Sequence, residues 1–246
     1  MAKILIVGAH MDEPEMYAGG TAALLAGAGH AVKFASLTNG DAGHHEMEPV
    51  PLARRRAREG YRAAEALGVL EYDIFDDVHD GELEPTVAVR RRVIALIRRW
   101  RADIVIGLHA DGPGHPDNRA AGRLTADAVA LCTIRNVVPE VPALGRQPMC
   151  LLMTDFSAGP VHRADVSVDV TEVLEAKLDA VLAHESQFFE ATPFYRGFAD
   201  AVPSARAPRE ERREFLLKHY PTFLGATETF QIAGYGRSFE RADLPI

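Results

Sequence analysis

KILIVGAHMDEPEMYAGG, residues 3–20, joins a short apolar run to a dense cluster of polar side chains. Residues 4–7 are apolar and mostly β-branched, a pattern typical of a buried β-strand. The cluster follows at once, before an alanine-rich helical pattern, and consists of His10, Asp12, Glu13 and Glu15. Because ligands of open α/β sheets bind outside the carboxyl ends of the strands, this order predicts a functional site. The alternative is that Asp12 or Glu13 only caps the next helix and that His10 is an ordinary loop histidine.

Length and composition favour one large, acidic α/β domain. The chain has 246 residues, 47% of them hydrophobic, and a formal net charge of −8, which argues against a nucleic-acid partner. Its apolar stretches are shorter than the roughly 20 residues of a membrane span, and no signal-peptide pattern precedes the first strand. We therefore expect a cytoplasmic protein without a membrane partner. Cys132 and Cys150 have no CxxC spacing and are expected to be buried thiols.

Strand-like and helix-like segments alternate along most of the chain. The predicted strands are residues 4–7, 31–37, 72–75, 103–108, 149–153, 166–170 and 228–232, and the predicted helices are residues 21–29, 51–66, 87–100, 120–131, 171–184 and 209–220. A second polar cluster follows the strand at 103–108 and consists of His109, Asp111, His115, Asp117 and Asn118. These patterns predict an α/β fold with a doubly wound, mostly parallel, Rossmann-like sheet and helices on both faces.

We expect a single domain over residues 1–246, with a variable C-terminal lid or lobe at about residues 188–246. Residues 192–208 are rich in Pro, Gly, Ala and Arg without a period, which favours a loop or lid. Phe188, Phe189, Phe194 and Tyr195 are expected to be core residues rather than a sugar-stacking surface. The arginine runs at 54–56, 90–92 and 98–99 are interpreted as solvated helix faces, and so is the charged face that includes Lys177.

Several ordered segments together resemble one known family. Residues 8–15 and 19–21 are similar to the AHPDDxE…GGT opening of the PIG-L/LmbE family of zinc-dependent N-acetyl-sugar deacetylases. Later segments agree in the same order: Thr-Asn-Gly-Asp-Ala-Gly at 38–43, Arg56-x-x-Glu59, His-Pro-Asp at 115–117 and His-Glu-Ser-Gln at 184–187. The resemblance covers nearly the whole chain.

The resemblance implies a role for individual positions. His10 falls on a metal ligand, Asp12 on the general base, and His115 on the residue that assists the tetrahedral intermediate and the leaving amine. Asp117 would orient a ligand histidine from behind, and Arg56 matches a substrate-contacting position. From the polar loop after the second strand we add two candidate substrate-binding residues, Asp41 and His44.

Two implied metal-ligand positions depart from the family pattern, since Glu13 replaces an aspartate and Asn118 replaces the last histidine of the HPDH motif. Met11 also replaces the proline of the first motif. A His/Glu/Asn set should hold zinc less tightly than His/Asp/His. Three alternatives stay open. The site could hold zinc weakly, or a harder cation such as Mg²⁺, Ca²⁺ or Mn²⁺, with help from His44, His109 or Asp111. It could instead have lost the metal, or a residue of another loop could replace the missing histidine ligand.

The expected function is hydrolysis of a carbon–nitrogen amide bond. The substrate would be an N-acetylated amino sugar or small glycoside, deacetylated by metal-assisted attack of water. The partner would be this small molecule, and homo-oligomerisation stays open. The alternative is a family member that has lost zinc-dependent hydrolysis and either binds a ligand or catalyses a metal-free reaction.

Overall fold

The computed structural model describes residues 1–111, 114–155 and 161–245. Seven strands form one sheet: β1 (Lys3–Gly8), β2 (Ala31–Ser36), β3 (Glu71–Ile74), β4 (Ile104–Gly107), β5 (Met149–Met153), β6 (Val166–Asp169) and β7 (Thr227–Ile232). The α-helices are α1 (Glu13–Gly27), α2 (Pro49–Ala66), α3 (Val87–Trp100), α4 (Pro116–Leu131), α5 (Leu174–Ala183), α6 (Thr192–Tyr195) and α7 (Arg209–His219).

The strand order is β3-β2-β1-β4-β5-β7-β6. The first five strands are parallel, whereas β7 runs antiparallel to both β5 and β6. Helices cover both sides of the sheet, so the predicted doubly wound, mostly parallel α/β fold is confirmed. The chain winds outward from β1 to β3 and then returns beside β1 with β4. That reversal leaves a crevice beyond the carboxyl ends of β1 and β4, the usual position of a ligand in such sheets.

The register of β1 and β4 sets the spacing of the two polar clusters. Ile4 pairs with Ile104 and Ile6 with Ile106, so both strands end at the same edge of the sheet. All the side chains of β4 are buried, as expected for a strand covered on both faces. The loops that follow β1 and β4 therefore start side by side, although about 100 residues separate them in sequence.

Three charged residues that we interpreted as solvated are buried, which corrects the sequence analysis: Arg56, Arg98 and Lys177. Arg98 is 2% exposed and donates to backbone carbonyl groups of the segment after α4, including those of Cys132 and Val138. Lys177 on α5 is 1% exposed and pairs with Glu228 of β7. Sequence patterning places such residues on a polar face but does not show that another element covers that face.

The C-terminal region contributes to the sheet itself, because β7 lies between β5 and β6. Part of the segment expected as a loop is helical: a π-helical turn spans Ser186–Ala191 and continues into α6. Phe188 and Phe189 are buried as expected, but Phe194 and Tyr195 are 51% and 62% exposed, so the core interpretation was wrong for these two. A single domain with a C-terminal lid stays a prediction.

The structure also bears on the two cysteines and on membrane-spanning segments. Cys132 and Cys150 are buried free thiols, as predicted. Within the described residues, no helix is both long and apolar enough to cross a lipid bilayer.

Candidate active site

His10 stands at the centre of the polar crevice, just beyond β1. Its Nε2 atom lies 2.9 Å from Asp80 and 3.3 Å from Asp117, and its Nδ1 atom lies 3.3 Å from Glu13 Oε1. Burial alone would lower the pKa of His10, but the carboxylates of Glu13, Asp117 and Asp80 raise it well above the usual value. The ring therefore sits in a strongly negative environment that favours a positive charge.

Glu13 fixes the turn between β1 and α1. Its Oε2 atom accepts hydrogen bonds from the backbone amides of Ala9 at 2.6 Å and of His10 at 3.1 Å. Its Oε1 atom faces His10 Nδ1 and is not used by these amides. Both atoms can act as lone-pair donors, so at 3.3 Å they need a proton or a cation between them.

Asp12, the residue before α1, has a strained backbone with φ of 119°. Residues other than glycine rarely occupy this region, and such backbone strain concentrates at functional sites. Burial raises the pKa of Asp12 to about 6, and the guanidinium of Arg56, 3.5 Å away, opposes that rise. A carboxylate that titrates near neutral pH can accept a proton from water and release it again.

His115 reaches the same crevice from the loop after β4. Its ring lies 4.9 Å from the ring of His10, centre to centre, in an edge-to-face arrangement. His115 Nδ1 accepts a hydrogen bond from the backbone amide of Asp117 at 3.3 Å, so the proton of the neutral ring is assigned to Nε2. The second polar cluster thus meets the first, as the strand order predicts.

Asn118 is 1% exposed and lies in the first turn of α4. Its Nδ2 atom points to Asp155 at 3.4 Å, while its Oδ1 atom is buried without a hydrogen-bond partner. An unpaired buried carbonyl oxygen costs free energy, and coordination of a cation would offset that cost. This orphan oxygen belongs to the residue that the resemblance places at a metal-ligand position.

The described residues fit a divalent cation, and two donor sets are available. In a tetrahedral zinc site, neighbouring donor atoms are about 3.4 Å apart, close to the separation of His10 Nδ1 and Glu13 Oε1. The family resemblance adds Asn118 Oδ1 to this first set as the third donor, and Asp80 and Asp117 lie within hydrogen-bond reach of His10 Nε2. The second set is His10, His115 and Asp117, whose donor atoms all lie within 4.8 Å of one another.

The three candidate substrate-binding residues occupy different positions. Arg56 lines the cavity, but its guanidinium also donates to the carbonyl groups of Gly40 and Met11. Asp41 instead holds the loop at residues 79–80. Its carboxylate accepts a hydrogen bond from His79 at 2.6 Å and one from the backbone amide of Asp80 at 3.0 Å. His44 is bound to Glu190 at 3.0 Å. Their contribution to substrate binding stays a prediction.

Asp80 is the site residue that the sequence analysis missed. The segment Asp80-Gly81 was interpreted only as a turn, yet Asp80 bridges His10 and Arg56. Burial would raise its pKa, but the hydrogen bond from His10 and the charges of His10 and Arg56 hold it well below the usual range. The sequence did contain one indication of this role. Asp80 follows β3, and parallel strands end at a common edge of the sheet, so the loop after β3 could be expected near His10.

A cavity of about 530 Å³ opens over these groups. One side is polar and carries the catalytic candidates, among them His10, Asp12 and His115. The other side is mostly apolar and comes from α1 and the C-terminal region; its members are Met16, Tyr17, Phe188, Thr192, Tyr195, Tyr220 and Phe223. This volume is in the range of clefts that enclose small organic ligands.

Comparison with known proteins identifies relatives over most of the chain. The family described as PIG-L, GlcNAc-PI de-N-acetylase, matches residues 5–129. Diacetylchitobiose deacetylase of Thermococcus kodakarensis is 35% identical over 76% of this chain and 71% of its own length. A probable N-acetyl-alpha-D-glucosaminyl L-malate deacetylase 2 of Bacillus cereus is 28% identical over 75% of this chain and 83% of its own length.

A solved structure extends the likeness to the fold. N,N'-diacetylchitobiose deacetylase from Pyrococcus horikoshii superposes with a TM-score of 0.73 at 24% identity, covering 94% of this chain and 84% of that one. The match to the family covers half of the chain, and the Thermococcus relative shares more than a third of the aligned residues. The chain therefore belongs to the PIG-L family of de-N-acetylases.

Proposed function

We propose that this protein is an amidohydrolase that removes the acetyl group from an N-acetylated amino sugar or a small glycoside of one. The observation that carries the proposal is the meeting of Asp12, His10 and His115 in one cavity beyond β1 and β4. Two relatives are named as deacetylases, one of diacetylchitobiose and one of N-acetyl-glucosaminyl malate. The alternative of a binding protein is less well supported, since both catalytic candidates of the family are present.

The proposed cation ligands are His10, Glu13 and Asn118. This choice uses the orphan oxygen of Asn118 and leaves His115 free to act on the substrate. When bound, the cation would polarise the acetamide carbonyl and acidify the attacking water. Since amide oxygen is a weak zinc ligand, we expect weaker zinc binding than in a His/Asp/His site.

The protein's own residues supply the proton transfers. Asp12 accepts a proton from the attacking water, and its raised pKa of about 6 keeps it ionised at neutral pH yet basic enough for this task. The Nε2–H group of His115 is placed to donate a hydrogen bond to the tetrahedral intermediate. As the C–N bond breaks, Asp12 passes the proton it took from water to the amine nitrogen. The products are acetate and a free amine, the proton of the new carboxyl group goes to solvent, and Asp12 is again a carboxylate.

The test is an assay of acetate release from N-acetylglucosamine and N,N'-diacetylchitobiose, with chelated protein and with protein reloaded with Zn²⁺, Mn²⁺ or Mg²⁺. We expect cation-dependent turnover, a loss of about 10²- to 10⁴-fold in kcat in Asp12→Asn, and little change in Asp179→Asn, a surface carboxylate on α5. Activity should also fall at acidic pH, because protonated Asp12 cannot accept a proton. A bound cation would lower the pKa of Asp12, so the fall in the loaded enzyme should lie below pH 6. Sugar binding without turnover under any cation would instead favour the binding protein.

A further inference from the structure

Two neighbouring aromatic side chains are exposed at the mouth of the cavity. Phe194 and Tyr195 of α6 are 51% and 62% exposed, and Tyr195 lines the cavity together with Arg196. Leaving two large apolar rings in water forgoes the free energy that burying them would provide. Exposed aromatic surface beside a ligand cavity is typical of a contact surface for the ligand.

These rings belong to an ordered stack. The imidazole of His45 lies between two other rings, 3.9 Å from Phe194 and 4.6 Å from His44, with interplanar angles of 8° and 10°. Tyr195 stands nearly perpendicular to both Phe194 and His45, at 79° and 82°. We call Tyr195, Phe194 and His45 the aromatic platform.

A network of charged groups holds the aromatic platform in place. His44 Nε2 lies 3.0 Å from Glu190 Oε2, and His44 Nδ1 accepts hydrogen bonds from two backbone amides of its own loop. Arg55 of α2 clamps both carboxylate oxygens of Glu190, at 2.7 and 2.5 Å. The loop after β2 and the π-helical turn are thus joined, so a ligand would meet a surface that needs little reordering.

We propose that the aromatic platform binds the second pyranose ring of an N-acetylated disaccharide, stacking the ring's C–H face on Tyr195. This inference rests on the proposed deacetylase function and adds a residue that selects disaccharides over monosaccharides. The acetamide would occupy the polar side of the cavity, and the adjoining ring would extend to the rim at α6. Arg196 next to Tyr195 can donate hydrogen bonds to the sugar hydroxyl groups.

The experiment compares N,N'-diacetylchitobiose with N-acetylglucosamine in wild type, Tyr195→Ala and Tyr195→Phe. For the disaccharide, Tyr195→Ala should raise KM about 5- to 10-fold with kcat nearly unchanged, and Tyr195→Phe should stay near wild type because it keeps the ring. The KM for the monosaccharide should not change. Tyr61→Ala removes a similarly exposed tyrosine from the outer surface of α2 and is the control.

Calorimetric binding of N,N'-diacetylchitobiose separates failure of the aromatic platform from failure of the proposed function, because it needs no turnover. Tighter binding of this disaccharide than of N-acetylglucosamine, weakened about 5- to 10-fold in Tyr195→Ala, supports the platform even without hydrolysis. The platform proposal is overturned if Tyr195→Ala loses the same affinity for both sugars, or if the wild type does not bind the disaccharide more tightly. A preference for an anionic glycoside that depends on Arg196 rather than on Tyr195 also overturns it.

Discussion

Asn118 stands where the motif resemblance implies the last histidine of HPDH. Its amide oxygen is buried without a partner, and its amide nitrogen is turned to Asp155. In Asn118→His an imidazole nitrogen would replace the weak oxygen ligand, so zinc affinity should rise by at least about 10-fold, together with kcat at limiting zinc. Titration with a competing chelator measures the affinity directly.

The control for this substitution is Asn118→Ala, which removes the oxygen and should weaken zinc binding further. An unchanged affinity in both variants would mean that the side chain of residue 118 does not reach the cation. The motif resemblance marks position 118 as a departure, but only the structure shows that the oxygen of Asn118 lacks a hydrogen-bond partner.

At the scale of elements, a buried ion pair joins α5, β7 and α1. Lys177 Nζ lies 2.7 Å from Glu228, and both side chains are almost fully buried. Glu228 also accepts hydrogen bonds from the backbone amides of Gly20 and Thr21 in α1. A Cβ atom on Gly20 would lie 2.6 Å from the side chain of Val170, the residue after β6, so glycine at position 20 permits α1 to pack closely there.

Lys177→Met should therefore lower the free energy of unfolding by about 3–5 kcal/mol, because it leaves the charge of Glu228 buried without its partner. Arg209→Met, which removes exposed ion pairs with Glu175 and Asp179 of α5, should cost no more than about 1 kcal/mol. Urea unfolding of both variants measures the difference. Similar, small losses in the two would show that the buried pair contributes no more than a surface pair.

At the scale of the whole molecule, cation binding should be coupled to folding, because the proposed ligands come together only in the native sheet. Zinc at about 100 times its Kd should stabilise the protein by about 2.7 kcal/mol, a rise in Tm of about 5–10 °C for a chain of this size. Thermal unfolding with and without zinc measures this shift.

The same measurement separates the two donor sets. If His10, Glu13 and Asn118 hold the cation, the shift in Tm should shrink in Glu13→Gln and persist in His115→Ala. The reverse pattern would assign the cation to His10, His115 and Asp117. Each variant is compared with its own metal-free form, so differences in basal stability do not affect the result.

The sequence by itself determined the alternation of strands and helices and the placing of His10 and His115 after two buried strands. These features are local, since hydrophobic period and turn residues act over a few positions. The resemblance to the family motifs added the proposed general base Asp12. It also marked Glu13 and Asn118 as departures from the motif pattern.

Only the tertiary structure decided which distant groups complete the site. Asp80 looked like part of a turn until the sheet placed it against His10, and Arg98 and Lys177 looked solvated until other segments covered them. Tyr195 looked like a core residue until α6 left it at the cavity rim. The physical reason is that a sequence pattern shows which face of an element is apolar or charged, whereas burial and pairing depend on what packs against that face.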